Sequence, residues 1–544
     1  MPPQNKPNVI LFMVDQLAAK WLEVARDKGI CALPNLDWLR ENGTSFTRTF
    51  SSNPVCSPTR ATIATGLCSR AHGLIMNGYA LNPEIPTFMQ ALQKEGWRTG
   101  AFGKLHLRPH HESLVHDYHP YGFDVVHGTE DDRAGEWLDW VKEAHPEHYE
   151  AALSTAWPAV PGYAEYGPDG VDLRPAIRAA KERYPHPTET WPRNSPKAYT
   201  LPFPEEVSQS SWITARALDF IRDTHSERSF FAHISFVAPH GPFCPPSEFM
   251  DRVNPEKIPA PVPADWLNDT DAPEYFRKMA RVLHGESDDR PSWMKDIAVT
   301  SGSDGQPPLI PDLSHERHCY FADITHLDEQ LGRVRKALQD AGRLDNTYII
   351  FVSDHGEFLG DHGFWQKQER HYDGGIRVPL IIVGPGLQKN AICQEIVQLE
   401  DVCPTILNMT GVPLPHLRFR HFGGRLDDSA PAISGRSLVE LCRGEMPDDW
   451  REEAYVESFP CFGPGTLGAW ARTVRTSRYR YTFYPNGHGE QLFDLESDPH
   501  EQKNLVNDPE HADLRREMKD RLMEQIIRQD YPVSPRDLFW FGIH

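Results

Sequence analysis

The chain has 544 residues, 39% hydrophobic and 24% charged, with nine cysteines and a formal net charge of −21. That balance describes a globular protein with a large core rather than a disordered chain, and the charge argues against nucleic acid or an anionic membrane surface as partner. No apolar run approaches the roughly 20 residues of a membrane helix, and single cysteines scattered from Cys31 to Cys461 fit thiols in a reducing compartment better than a disulfide framework.

Val9 to Val14 is a short β-rich apolar run that stops at Asp15 and Gln16. It reads as a buried parallel strand rather than a secretory leader, so a cytoplasmic location is expected. Ile85 to Leu92 reads as a helix and Trp97 to Phe102 as the next strand, with Gly103-Lys104-Leu105-His106 at its carboxyl end. Residues 130–204, rich in Pro, Trp, His and charge and without a clean period, read as an insertion or lid. Ser211 to Arg222 is a predicted helix, followed by the strand Phe230 to Val237, which leads to His240. Residues 242–311 read as a second insertion. Tyr320 to Leu338 has helical spacing, and after Gly342 the strand Tyr348 to Val352 delivers Ser353-Asp354-His355-Gly356. Helix, strand and polar cluster recur, which predicts an α/β fold: a mixed, mostly parallel sheet between helices, with ligands at the strands' carboxyl ends.

Past residue 444 the texture changes to short β-rich pieces, 478–484 and 490–495, and a charged helix from about His511 to Arg528. The expected division is a catalytic domain over 1–444 and a smaller domain over 445–544, an antiparallel sheet plus helix. The aromatic end, Leu538 to His544, suggests a subunit contact, at even odds with packing on its own subunit, and a homo-oligomer (dimer or tetramer) is expected.

The decisive string is Cys56-Ser57-Pro58-Thr59-Arg60, trailed by Thr65-Gly66. A second string, Gly96 to His106, reads G-x-x-T-x-x-x-G-K-x-H. With Asp15-Gln16, Asp354-His355 and Lys367, these resemble in order the motifs of the sulfatase family of the alkaline phosphatase superfamily, over most of the chain. The Asp-Gln and Asp-His pairs, where many members carry Asp-Asp and Asp-Asn, resemble the branch with phosphonate monoester hydrolases and choline-sulfatase-like enzymes. The resemblance implies an alkaline-phosphatase-like fold.

It also implies that Cys56 is oxidised to formylglycine by a dedicated maturation enzyme, and that the hydrated aldehyde attacks a small anionic ester. By the same resemblance Asp15, Gln16, Cys56, Asp354 and His355 hold one divalent metal. An imidazole among the ligands favours Mn²⁺, with Ca²⁺ as the alternative. Arg60 would hold the nucleophile, Lys104 and Lys367 would bridge substrate oxygens, His240 would assist protonation of the leaving oxygen, and His106 would be the base that releases sulfate. Asn77 is a further substrate-binding candidate.

The expected reaction is hydrolysis of sulfate monoesters, aryl or small alkyl. Phosphonate monoester or phosphodiester hydrolysis is the alternative, and a non-catalytic binding module the rival from another class. His110, His111, His116, His119 and His362 have no spacing that suggests a cage and read as surface or loop residues.

Overall fold

The computed structural model describes residues 6–110, 113–156, 171–185, 198–223, 228–287, 299, 307–367, 369–413, 434–459 and 470–529, with the backbone also at 419–420 and 426–427. Eight strands form the main sheet: β1 (Asn8–Val14), β2 (Gly43–Phe50), β3 (Arg98–Gly103), β4 (Val125–Gly128), β5 (Phe230–Ser235), β6 (Thr347–Ser353), β7 (Arg377–Val383) and β8 (Ala391–Gln398). Their order is β4-β3-β5-β1-β6-β7-β2-β8, and β7 alone runs antiparallel to its neighbours. The fold is the expected mixed, mostly parallel α/β sheet.

Successive side chains of a strand point to opposite faces. In β1, Ile10, Phe12 and Val14 pack into one core and Val9, Leu11 and Met13 into a second. Both faces are therefore dry, which is why the run is uniformly apolar. Each such side chain contributes about 2 kcal/mol through burial. The helix Ser314–Asp340 covers the first face through Tyr320, Phe321 and Ile324, and Val402–Thr410 helps cover the second.

Several boundaries differ from the sequence reading. The helix expected from Ile85 starts at Phe88 and runs to Lys94. A capping box at Thr87 sets its start: the Gln90 N–H donates to the Thr87 hydroxyl at 3.2 Å, and the Thr87 N–H to Gln90 Oε1 at 3.0 Å. Residues 130–204, expected to be irregular, contain the helices Glu136–Ala144, Tyr149–Ser154 and Arg174–Arg183. The first of these buries Trp137, Leu138 and Val141 at helical spacing, a signal that the surrounding Pro, His and charge hid. Within 242–311 the helix Glu274–Leu283 likewise forms. Strands β2, β4, β7 and β8 have no counterpart in the sequence reading.

A separate antiparallel sheet comprises Glu453–Ser458, Ala471–Thr476, Tyr479–Tyr484 and Gly489–Asp494, in that order. The helix Ala512–Arg528 lays Met518 and Leu522 against its Tyr455, Val474, Tyr481 and Leu492. His371 ties this sheet to the larger one, with Nδ1 2.8 Å from Thr473 Oγ1 and Nε2 2.6 Å from Ser458 Oγ. The aromatic tail, Leu538 to His544, lies outside the described residues.

Candidate active site

Four adjacent strands, β3, β5, β1 and β6, end on one edge, and each is followed by candidate residues: Lys104 and His106, His240, Asp15 and Gln16, Asp354 and His355. The parallel arrangement brings together residues up to 340 positions apart in the chain. Cys56 reaches the same place from β2, at the first position of the wholly buried helix Cys56–Thr65. A helix N-terminus presents unpaired N–H groups and a partial positive charge, which suits an anionic ligand. Asn77 meets this end: its Oδ1 accepts the Ser57 N–H at 3.0 Å.

Asp15, Cys56, Asp354 and His355 place one donor atom each within 4.8 Å of one another. Cys56 Sγ lies 3.0 Å from His355 Nε2, which is 3.5 Å from Asp15 Oδ1 and 3.7 Å from Asp354 Oδ1. His355 Nδ1 lies 3.2 Å from the Gly356 carbonyl, which can only accept, so Nδ1 carries the proton and Nε2 offers a lone pair to the cluster. Burial pushes this imidazole down to about 4 against the pull of Asp354, so it is neutral. Gln16 stands beside them, its amide fixed by a donor bond from Nε2 to Glu357 and by Lys367 Nζ on Oε1. Two carboxylates, an amide oxygen and a neutral imidazole, all fully buried, fit one divalent cation, and the nitrogen tilts the set towards a transition ion.

Cationic side chains ring the cluster. Arg60 donates from Nε to Asp354 Oδ2 at 2.9 Å, and from Nη1 to the Lys104 carbonyl at 2.7 Å and Ser235 Oγ at 2.9 Å. Lys104 Nζ pairs with Asp15 and Asp131, and Lys367 Nζ lies 3.0 Å from His240 Nε2. Burial alone would raise the Asp15 carboxyl, but its charged neighbours, Lys104 first and Arg60 with it, outweigh this and hold the group well below the usual carboxylate range. Burial would lower Lys104 and Lys367; Asp131 and Asp15 outweigh it at the first, Cys56 and Asp15 at the second, so both ammonium groups are raised and stay charged.

Gln16 and His106 adopt left-handed backbone at φ 65° and 48°, a conformation that costs a non-glycine residue on the order of 1–3 kcal/mol and clusters where side chains must be aimed. At Gln16 the Asp354 carboxylate accepts its N–H at 3.1 Å, and its carbonyl accepts the Tyr320 hydroxyl at 2.7 Å.

All the sequence-derived candidates converge here. Cys56, Lys104, His106 and Lys367 are buried, whereas His240 is half-buried and Asn77 exposed, so the cluster meets solvent on the side of the last two. Sequence reasoning missed Glu130, Asp131, Ser235, Glu357 and Tyr320. Glu130 and Asp131 follow β4 inside a stretch read as a lid, with no spacing to distinguish them from surface acids. It also read His110 and His362 as surface or loop residues; both lie between the main helices and strands, but they are buried. His110 stacks on His106, ring centroids 3.7 Å apart; His362 packs tilted against Tyr372, ring centroids 4.5 Å apart. His116 is half-buried, His119 is exposed, and His111 lies outside the described residues.

Residues 7–412 match the family profile described as Sulfatase, and residues 360–528 the one described as N-sulphoglucosamine sulphohydrolase, C-terminal. Among curated proteins, an arylsulfatase of Clostridium perfringens is 27% identical, covering 97% of this chain and 98% of its own. A choline-sulfatase of Rhizobium meliloti is 28% identical, covering 93% and 83%. Among solved structures, a phosphonate monoester hydrolase from Silicibacter pomeroyi superposes with a TM-score of 0.72 at 24% identity, over 98% of this chain and 97% of that one. At that identity the likeness speaks to the fold alone.

Proposed function

The chain belongs to the sulfatase family, and from that premise we propose that it hydrolyses sulfate monoesters, with Cys56, matured to formylglycine, as nucleophile over one divalent metal. The observation that carries this reading is the buried juxtaposition of Cys56 Sγ with His355 Nε2 at 3.0 Å, beside Asp15 and Asp354 and under three cationic side chains. A sulfate monoester is a poorly electrophilic anion, so its site must spread charge and supply a strong nucleophile. When bound, the metal supplies Lewis acidity and the matured Cys56 a hydroxyl nucleophile.

The chain's own residues do the rest. Lys104 and Lys367 hold the equatorial oxygens and offset their charge. Arg60 fixes Asp354 and keeps the first turn of the Cys56 helix in register with Lys104. Lys367 delivers a proton to the leaving oxygen with His240 beside it, and His106, kept neutral, accepts the proton when sulfate departs. Burial and then neighbouring His110 hold His106 well below its usual value, which keeps the ring unprotonated and its lone pair available. Asn77, beside the Cys56 helix N-terminus on the exposed side, is a substrate contact.

A second reading, phosphonate monoester or phosphodiester hydrolysis, is favoured by the Gln16 and His355 donors, and we place it as a side activity. The experiment is kcat/KM on an aryl sulfate and on a phosphonate monoester with the same leaving group; a preference for phosphonate would reverse the order. Mn²⁺ is the proposed metal. Two units, 1–444 and 445–544, are the proposed division, and a homo-oligomer (dimer or tetramer) the proposed assembly. A dedicated maturation enzyme acting on Cys56 is the proposed partner. The eight cysteines among the described residues are all free thiols, which supports a reducing, cytoplasmic setting. No described helix is long and apolar enough to cross a membrane.

A further inference from the structure

Glu130 sits beneath the turn that carries Lys104 and His106. Its Oε1 accepts the Leu105 N–H at 3.1 Å, the His106 N–H at 2.9 Å and the Tyr118 hydroxyl at 2.7 Å. Its Oε2 lies 3.3 Å from His110 Nε2. His110 in turn stacks on His106, with ring centroids 3.7 Å apart and ring planes 18° apart. The His106 imidazole is buried, and its Nδ1 has no hydrogen-bond partner among the described residues. No bond at that nitrogen fixes the ring, so its aim depends on the backbone below and the ring beside it.

We propose that Glu130 and His110 are positioning residues for His106: Glu130 locks the left-handed turn at His106, and His110, held by Glu130, is the backstop for its ring. The trio could be mistaken for a metal cage, since its donor atoms lie within 4.8 Å of one another. Nearly parallel stacked rings send their in-plane lone pairs side by side rather than to one point, which is a packing geometry. His110 also faces Asp131, 3.8 Å from its Nδ1. The proposal rests on the reading of His106 as the base in sulfate ester hydrolysis.

The test compares His110→Phe, which keeps a flat ring, with His110→Ala, which does not, and Glu130→Gln, which keeps a side-chain acceptor, with Glu130→Ala, which does not. Because a loosened catalytic group costs about 100-fold, each alanine variant should lose about that much kcat with KM within about threefold. His110→Phe and Glu130→Gln should stay within about tenfold of the parent kcat. If Glu130→Ala does not fold, Glu130→Gln and the His110 pair decide. A second readout needs no substrate: the ring ¹⁵N signals of His106, assigned by their loss in His106→Gln, should keep the parent pattern in His110→Phe and average in His110→Ala. The ring signals therefore judge the positioning even in a protein that proves inactive on sulfate esters. Equal damage from His110→Phe and His110→Ala, an unchanged His106 ring in His110→Ala, or loss of one bound metal equivalent from His110→Phe would each overturn the proposal.

Discussion

Nζ of Lys367 lies 3.0 Å from Nε2 of His240, and because an ammonium only donates, the imidazole accepts there. Nδ1 of the same ring lies 2.8 Å from the Gly241 carbonyl and carries the hydrogen. His240 thus accepts at Nε2 while its own hydrogen is tied to the backbone, so of the two Lys367 is the proton donor. Lys367→Ala should therefore reduce kcat/KM for an alkyl sulfate, a poor leaving group, at least about tenfold more than for an activated aryl sulfate. Kinetics on a matched series measure this. Equal losses would leave Lys367 only a role in charge.

Cys56 should be found as formylglycine in protein produced with the maturation enzyme, by mass spectrometry of the peptide spanning residues 50–60. Cys56→Ala should lose nearly all turnover while keeping its circular dichroism, since a buried alanine suits a helix's first turn. A fully active preparation carrying only thiol would remove the proposed nucleophile.

Chelation should abolish activity, and Mn²⁺ should restore it better than Ca²⁺, because His355 offers a nitrogen where calcium prefers oxygen. Metal analysis of the purified protein should give one equivalent. Recovery by Ca²⁺ alone would mean that the three oxygen donors outweigh the imidazole.

Replacing Lys104 and His106 together by Tyr and Thr removes a buried positive charge and a base, leaving only hydrogen-bond donors. The ratio of kcat/KM for aryl sulfate to that for a matched phosphonate monoester should fall. The loss should be on the order of 100-fold, the scale of one positioned base. An unchanged ratio would mean that the metal ligands set the preference.

Asp361 should make stability depend on acid. Burial alone would raise its carboxyl, but Lys20 and Arg317 outweigh this and hold it at about 2; Arg317 Nη2 lies 2.6 Å from its Oδ1. Because the folded value is depressed, the stabilisation is full above the ordinary carboxylate value and is lost as pH falls from about 4 towards 2, amounting to about 2 kcal/mol. Asp361→Asn leaves Arg317 buried without its counter-charge and should cost about 3 kcal/mol at neutral pH. Urea unfolding of both proteins at pH 7 and pH 3 checks this: the gap between them should narrow at the lower pH.

By itself the sequence determined the four strands that carry the site and the chemistry beyond their ends. The runs at β1, β3, β5 and β6 are buried on both faces, so they are mostly apolar, and each leads into its polar cluster: Asp15-Gln16, Lys104 to His106, His240, Asp354-His355. Cys56 and Arg60 were legible because one helical turn brings both to the same end of a short motif. Only the tertiary structure decided which acids complete the site. Glu130 and Asp131 lie in a stretch whose prolines and charges masked its helices, and nothing local distinguishes an acid that turns inward beneath His106 from one that faces water. The same holds for His110 and His362. Whether a histidine is buried depends on what packs over it from elsewhere in the chain, and that information is not local to its neighbours in sequence.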